Sequence, residues 1–248
     1  MVSNNHSNVV FVAKGVQMTD PENTRATGKV AVETTKGIFE AEAVLVTVPL
    51  GVLKSGSIEF TPSLPQTKLN SIDKLGMGLL NKVVMKFPKL FWPPEVDFLS
   101  FIPDEGEELY NFISLYPSHQ SPTLIGFFTW QFARELEKMS DKEITEMIMD
   151  YLRRYLTDIP DPTAVLVTRW QSDPFAFGSY SYLSKDATVA DQIELARPLG
   201  NLFFAGEATS RYHFSTVHGA HTSGLREADQ IANLFFSQRD GSSSVAGA

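Results

Sequence analysis

Apolar residues in this chain recur in short runs separated by polar turns, and one longer segment has a helical spacing. Runs of four to eight apolar or alternating residues predict β-strands. Such runs occur at 8–13, 29–34, 38–42, 43–48, 82–87, 124–129, 165–170 and 202–205. Because helical segments fall between these strands, the pattern indicates an α/β protein.

The clearest predicted helix lies at 141–156. Ser140 and Glu143 have the spacing of a capping box, and seven apolar residues then follow at intervals of three or four. We interpret this apolar face as core packing rather than a cofactor site. A short helix is also expected at 65–72, and a longer one is expected to follow Thr216.

Composition narrows the possible classes of function. The hydrophobic fraction of 43% and the charged fraction of 20% are typical of a globular domain, and no apolar run is long enough to span a bilayer. The first residues lack the features of a secretory signal and the last three differ from a peroxisomal Ser-Lys-Leu, so a cytoplasmic location is expected. Cysteine is absent, which excludes disulfides and thiolate catalysis, and the five histidines have no metal-ligand spacing.

The net charge of −8 argues against a nucleic-acid partner and suits a cationic small molecule. We predict no membrane partner, and the sequence assigns no oligomeric state. The partners expected are therefore small molecules.

The segment from 201 to 228 is the most informative part of the chain. An apolar strand stops at Gly206, Glu207 follows at its tip, and the next helix begins with small residues that include Gly219 and Ala220. A helix start without bulk lets a flat ligand approach closely, and its positive dipole end favours negative charge. Residue types alone describe an ordinary strand–loop–helix equally well.

The order of the residues adds a resemblance. Gly-Glu-Ala-Thr at 206–209, Thr-Val-His-Gly-Ala at 216–220 and Ser-Gly-Leu-Arg-Glu-Ala at 223–228 closely resemble the C-terminal flavin-binding segment of the flavin-containing amine oxidases. That family includes polyamine oxidases, monoamine oxidases and lysine-specific histone demethylases. Three further segments are similar to the same family, namely 44–54, the Gly-x-x-Asn-Lys-Val run at 78–83, and 170–182.

The resemblance implies a fold and a domain organisation. Residues 1–49 and 201–236 would form an incomplete dinucleotide-binding (Rossmann-like) FAD domain, and 50–200 a mixed-sheet substrate domain. The Ser- and Gly-rich tail at 237–248 is expected to be disordered. The similarity spans about residues 8–236 but only the C-terminal half of a family member. Since no Gly-x-Gly-x-x-Gly occurs, we expect a truncated chain without the pyrophosphate site.

The resemblance also implies roles for two catalytic residues. Lys82 would hold a water molecule at N5 of the flavin, and Tyr180 would form one aromatic wall of the amine pocket. An aromatic face attracts a cationic amine and helps to orient it. On spacing alone, Lys82 is an ordinary edge charge and Tyr180 a core residue.

The residues implied to contact FAD, the expected cofactor, share a position beside the flavin. They are Trp170, Gly206, Glu207, which would bind the ribitol or a phosphate, and Thr216 and Val217, which would face the ring.

The sequence leaves undecided which residue forms the second wall of the amine pocket. His213 stands where several family members have tyrosine, and Phe214 is its possible substitute. Trp130 is another departure, because the family usually has a small residue, often glycine, at the matching place.

Three functions remain in view. The first is FAD-dependent oxidation of a polyamine to an imine, with molecular oxygen reduced to hydrogen peroxide. The second is a histone-lysine demethylase, although the long helical insertion of such members is not visible between Asn81 and Trp170. The third is a non-catalytic truncated product that acts as a binding module, which the missing glycine motif supports.

Overall fold

A computed structural model describes residues 13–18, 29–102 and 111–236. The chain divides into two compact units: the first comprises the residues up to Gly78 and those from Pro174 onward, and the second comprises Leu79–Asp173. The predicted substrate domain, 50–200, extends beyond the second unit at both ends, and its role stays a prediction. Most of the strand expected at 8–13 and the whole tail at 237–248 lie outside the described residues.

The first unit contains a four-stranded sheet in the order β3-β2-β1-β5. Its strands are β1 (Ala13–Met18), β2 (Val30–Thr34), β3 (Gly37–Ala41) and β5 (Glu59–Thr61). The β1–β5 pair is parallel and the other pairs are antiparallel. The predicted strands at 29–34 and 38–42 are confirmed, because a polar turn joins two alternating runs.

A separate parallel pair consists of β4 (Val44–Val46) and β13 (Leu202–Phe204). All three residues of β13 are buried, as expected of an apolar strand covered on both faces. Helix α1 (Leu50–Ser55) begins directly after Pro49 and was not predicted. Proline both breaks elements and starts helices, because its fixed φ angle suits the first turn.

Besides α1, the described residues of the first unit form the helices α2 (Gln66–Lys74), α6 (Val189–Ala196) and α7 (Val217–Phe236). The short strands β6 (Gly76–Met77) and β12 (Ser181–Tyr182) pair antiparallel. An apolar core gathers residues from the strands and helices, among them Val30, Leu50, Ile72, Leu195 and Leu202. The predicted helix at 65–72 is confirmed as α2.

A fully buried lysine joins α2 to α6. Lys68 Nζ donates hydrogen bonds to the carbonyl oxygens of Glu194 (2.6 Å), Leu195 (2.9 Å) and Arg197 (2.8 Å). It also lies 4.2 Å from the centroid of the Phe204 ring. The last carbonyls of a helix lack intrahelical donors and attract a cation, so Lys68 caps α6. Burial lowers the pKa of Lys68 to about 8.

The second unit contains a five-stranded sheet in the order β11-β7-β10-β9-β8, and all four of its strand pairs are antiparallel. The strands are β7 (Leu80–Lys86), β8 (Phe98–Ser100), β9 (Asn111–Ser114), β10 (Thr123–Thr129) and β11 (Ala164–Val167). Side chains alternate along β7, so that Asn81 and Val83 are buried while Lys82 and Val84 lie half-buried on the other face.

The described residues of this unit also form the helices α3 (Tyr116–His119), α4 (Trp130–Leu136) and α5 (Asp141–Tyr155). The predicted helix at 141–156 is confirmed as α5, and both hydrogen bonds of the Ser140–Glu143 capping box are present. Its apolar face, which includes Ile144, Ile148 and Leu152, is buried in the core of the unit. No helix among the described residues combines the length and apolar character that crossing a bilayer requires.

The backbone at Trp130 explains why a small residue suits this position. Trp130 has φ +54°, in the left-handed region, and its side chain is 69% exposed. Glycine adopts this conformation freely, whereas a residue with a Cβ is strained by about 1–2 kcal/mol. Trp130 therefore adopts a left-handed backbone conformation that glycine would adopt without strain.

Candidate functional site

The tip of β13 is organised by glycine and by the helix that follows. Gly206 has φ +122°, a conformation that glycine favours, and its N–H donates to Ser223 Oγ of α7 at 2.8 Å. Thr209 Oγ1 donates to the Gly206 carbonyl at 2.8 Å. The predicted site residue Gly206 is therefore a fixed corner between the strand and α7.

The carboxylate of Glu207 joins two segments of the first unit's candidate site. Its carboxylate accepts hydrogen bonds from Ser181 N (3.0 Å), Ser181 Oγ (2.7 Å) and Ser215 N (2.5 Å), and Ser215 Oγ donates to the Ser181 carbonyl. Ser181 adjoins Tyr180, and Ser215 stands between Phe214 and Thr216. The structure thus brings the predicted residues Tyr180, Glu207, Phe214 and Thr216 together through their neighbours. Binding of ribitol or phosphate by Glu207 stays a prediction.

Helix α7 begins with a capped turn. Thr216 Oγ1 accepts from Gly219 N at 3.0 Å and donates to the His213 carbonyl at 2.6 Å. Gly219 is buried, and a Cβ at this position would collide with that same carbonyl oxygen. The expectation that Gly219 leaves room for a ligand is therefore wrong, since its small size serves the close approach of the loop.

Other predicted residues at this end of α7 face solvent. The side chain of Val217 is 88% exposed, and the exposed ring of His213 lies with its centroid 4.6 Å from that of His218. Tyr180 is 40% exposed, and its carbonyl accepts from Gly78 N at 2.8 Å. These side chains are accessible on the first unit, as contact with a ligand requires.

A cavity of about 200 Å³ lies at the carboxyl ends of β4 and β13. Its lining consists mostly of small or apolar residues, including Thr47, Pro49, Ala205, Gly206 and Ala220, together with Glu207. Ligands of α/β proteins bind outside the carboxyl ends of parallel strands. Ala220 brings α7 to this cavity, so the small-residue helix start does border an open space, although not at Gly219.

The remaining two predicted residues, Lys82 and Trp170, belong to the second unit. Lys82 is half-buried, with Nζ 5.7 Å from the centroid of the Phe127 ring, and its N–H donates to Thr168 Oγ1 at 2.8 Å. Trp170 is 38% exposed, and its N–H donates to Asn81 Oδ1 at 3.1 Å. The fully buried Asn81 therefore connects the segment that carries Trp170 to the residue preceding Lys82.

A carboxylate that the sequence did not single out completes this connection. Glu137 accepts hydrogen bonds from Asn81 Nδ2 (2.7 Å), Gln171 N (2.9 Å), Ser172 N (2.9 Å) and Ser172 Oγ (2.5 Å). Burial favours the neutral acid, but these four donors outweigh it and hold the pKa of Glu137 below its usual range. Nothing in the spacing of residues 81, 137 and 171 indicates this contact.

Comparison with known proteins identifies the family. The model of the flavin containing amine oxidoreductases matches residues 16–232. The chain belongs to this family. It is 40% identical over 203 residues to polyamine oxidase 4 of Oryza sativa subsp. japonica, with 81% of this chain and 41% of the relative covered. It is also 40% identical over 215 residues to lysine-specific histone demethylase 1 homolog 2 of Arabidopsis thaliana, with 84% and 29% covered.

A solved structure supports the fold. A redesigned putrescine oxidase superposes with a TM-score of 0.69 at 19% identity, covering 90% of this chain and 48% of that one. The amine oxidase fold and the α/β class are thereby confirmed. The chain spans about four tenths or less of the length of the two curated relatives described above.

Membership of this amine oxidase family implies FAD as the cofactor, and the residues present fit part of it. The cavity has a mostly apolar lining in which Gly206 and Ala220 are small, as the approach of a flat ring requires, and Glu207 is also part of the lining. The sequence contains no Gly-x-Gly-x-x-Gly for the pyrophosphate. Among the described residues, no cluster of three metal-ligating side chains could hold a metal ion.

Proposed function

We propose that this amine oxidase chain takes part in the FAD-dependent oxidation of a polyamine. The carbon next to a secondary or tertiary amine nitrogen is oxidised to an imine, and molecular oxygen becomes hydrogen peroxide. The observation that carries the proposal is the cavity at the ends of β4 and β13, which residues 206–209 border. The acidic net charge of −8 suits a cationic substrate.

In this proposal each site residue has a separate task. FAD, when bound, supplies the acceptor for the hydride. Gly206 and Ala220 leave room for the ring, and the face of Tyr180 attracts the cationic amine. Glu207, through Ser181, keeps the Tyr180 segment in position. Lys82 Nζ holds a water molecule by donating a hydrogen bond to it.

A polyamine is favoured over a methylated histone tail by the size of the second unit's helices. The histone demethylases of the amine oxidase family carry a long helical insertion in the substrate domain. Among the described residues of the second unit, the longest helix is α5 with 15 residues. Relatives with both functions are similarly close, since the two identities are equal. Peroxide release with spermine, compared with a dimethylated histone H3 peptide, separates these substrates.

Flavin binding by the chain itself tests the cavity directly. Titration with FAD should perturb the visible absorption bands of oxidised flavin, and Ala220→Leu should abolish the effect by filling the cavity. Ala228→Leu is the matched control, because this alanine is exposed on the same helix. Circular dichroism checks that both variants fold. An unperturbed spectrum with the wild-type chain would favour the alternative of a non-catalytic binding module. Equal binding by Ala220→Leu would show that FAD does not occupy this cavity.

A further inference from the structure

We propose that Glu137 is a positioning residue that fixes the Trp170 segment to the start of β7 and thereby sets the placement of both Trp170 and Lys82. Its relevance to catalysis rests on the proposed function, because Lys82 and Trp170 act in the reaction only in that case. The positioning itself depends only on contacts within the second unit.

Two side chains capture three consecutive main-chain N–H groups. Trp170 N donates to Asn81 Oδ1, Gln171 N to Glu137 Oε1, and Ser172 N to Glu137 Oε2. Successive N–H groups that converge on one side form a concavity that binds an anion. Here the anion is the protein's own carboxylate, so the path of the segment is dictated by Glu137 and its partner.

The same network fixes the main chain of Lys82. Asn81 Nδ2 donates to Glu137 Oε1, while Asn81 Oδ1 accepts from Thr168 Oγ1 at 3.2 Å. Thr168 Oγ1 accepts from Lys82 N, and Thr168 N donates to the Lys82 carbonyl at 2.9 Å. Both main-chain groups of Lys82 are therefore bound to Thr168, whose hydroxyl is held by Asn81.

The location of Glu137 indicates that helix stability is not its purpose. It is the C-terminal cap of α4, and a negative charge at a helix C-terminus is unfavourable. The charge of Glu137 is stabilised by its four hydrogen-bond donors and not by the helix. Each carboxylate oxygen accepts two of these hydrogen bonds, and glutamine has a single acceptor oxygen whose neighbouring NH₂ would face donors.

Hydrogen exchange of the full chain tests the proposal without any cofactor. Glu137→Gln should speed amide exchange at Gln171 and Ser172 by about tenfold or more, and should shift the indole N–H signal of Trp170. Glu135→Gln is the matched control, because Glu135 lies nearby in α4 and its carboxylate pairs with Lys138 at the surface.

Comparing amide exchange in β10 with that at residues 171–172 distinguishes a local loss of positioning from a general loss of stability. Under the proposal, amides of β10 keep their protection in Glu137→Gln, and Glu137→Asp restores part of the lost protection at 171–172. Unchanged exchange at 171–172 would overturn the proposal, as would an equal rise in exchange across β10.

Activity is measured separately. With a catalytically active preparation, Glu137→Gln should lower kcat about tenfold or more with little change in KM, while Glu135→Gln should not. A clear exchange effect without a change in kcat would overturn the catalytic relevance. If the wild type releases no peroxide with any amine, the proposed function fails, and hydrogen exchange still decides whether Glu137 positions the segment.

Discussion

Replacing Lys68 by methionine should make the stability of the protein respond differently to pH. The pKa of Lys68 falls from its ordinary value of 10.5 to about 8 because burial disfavours the ammonium ion. Between these values the unfolded chain binds more protons than the folded one, so the free energy of unfolding rises with pH. Lys68→Met has no such group and gains nothing over this range.

The magnitude follows from the two pKa values. A difference of roughly 2.5 pH units is worth about 3 kcal/mol, of which about 2 kcal/mol falls between pH 7.5 and pH 10. The stability of wild type relative to Lys68→Met should therefore increase by about 2 kcal/mol over this window. This contribution of Lys68 to the free energy of unfolding is fully present above pH 10.5, the pKa in the unfolded chain. It is lost as the pH falls through about 8, the pKa in the folded chain.

Urea unfolding followed by circular dichroism at the two pH values measures this difference. Lys36→Met is the control, because Lys36 is an exposed lysine of the same unit and its loss removes one positive charge from the surface. The stability difference between wild type and Lys36→Met should change much less with pH. The reasoning would be refuted if the free energy of unfolding of wild type minus that of Lys68→Met stayed constant or decreased as the pH rises.

Three further substitutions test local features by thermal or urea unfolding. Trp130→Gly should be about 1 kcal/mol more stable than Trp130→Ala, because only glycine relieves the left-handed backbone at φ +54°; equal stability would contradict the strain. Ser140→Ala should cost about 1 kcal/mol by removing the cap that Glu143 N donates to, whereas Thr145→Ala, on the same helix, should cost less. Gly219→Ala should cost about 2 kcal/mol or more through its clash with the His213 carbonyl, while Gly224→Ala, with open space around it, should be tolerated.

The sequence by itself determined the features whose causes lie close together along the chain. Helix α5 was predicted with its cap, because Ser140 and Glu143 are three residues apart and an apolar face follows. The turn at Gly206 and the helix after Thr216 were located in the same way, from short ordered runs. The family resemblance, which the matched family model confirms, also came from such runs.

Proline and glycine were harder to interpret, because each residue serves opposite purposes. Pro49 precedes the helix α1, which was not predicted, and Gly219 suggested space for a ligand but allows a carbonyl to approach. The sequence shows that a position lacks a side chain or an N–H group. Only the fold shows what comes close to it.

Only the tertiary structure decided which polar groups meet. Asn81 and Glu137 are 56 residues apart, Lys68 and Leu195 are 127 apart, and both pairs join elements that are distant in the chain. A hydrogen bond of this kind depends on the packing of whole helices and strands, which no local spacing encodes. Short motifs were therefore enough to propose the site residues, whose roles stay predictions, whereas the partners that hold these residues became apparent only from the fold.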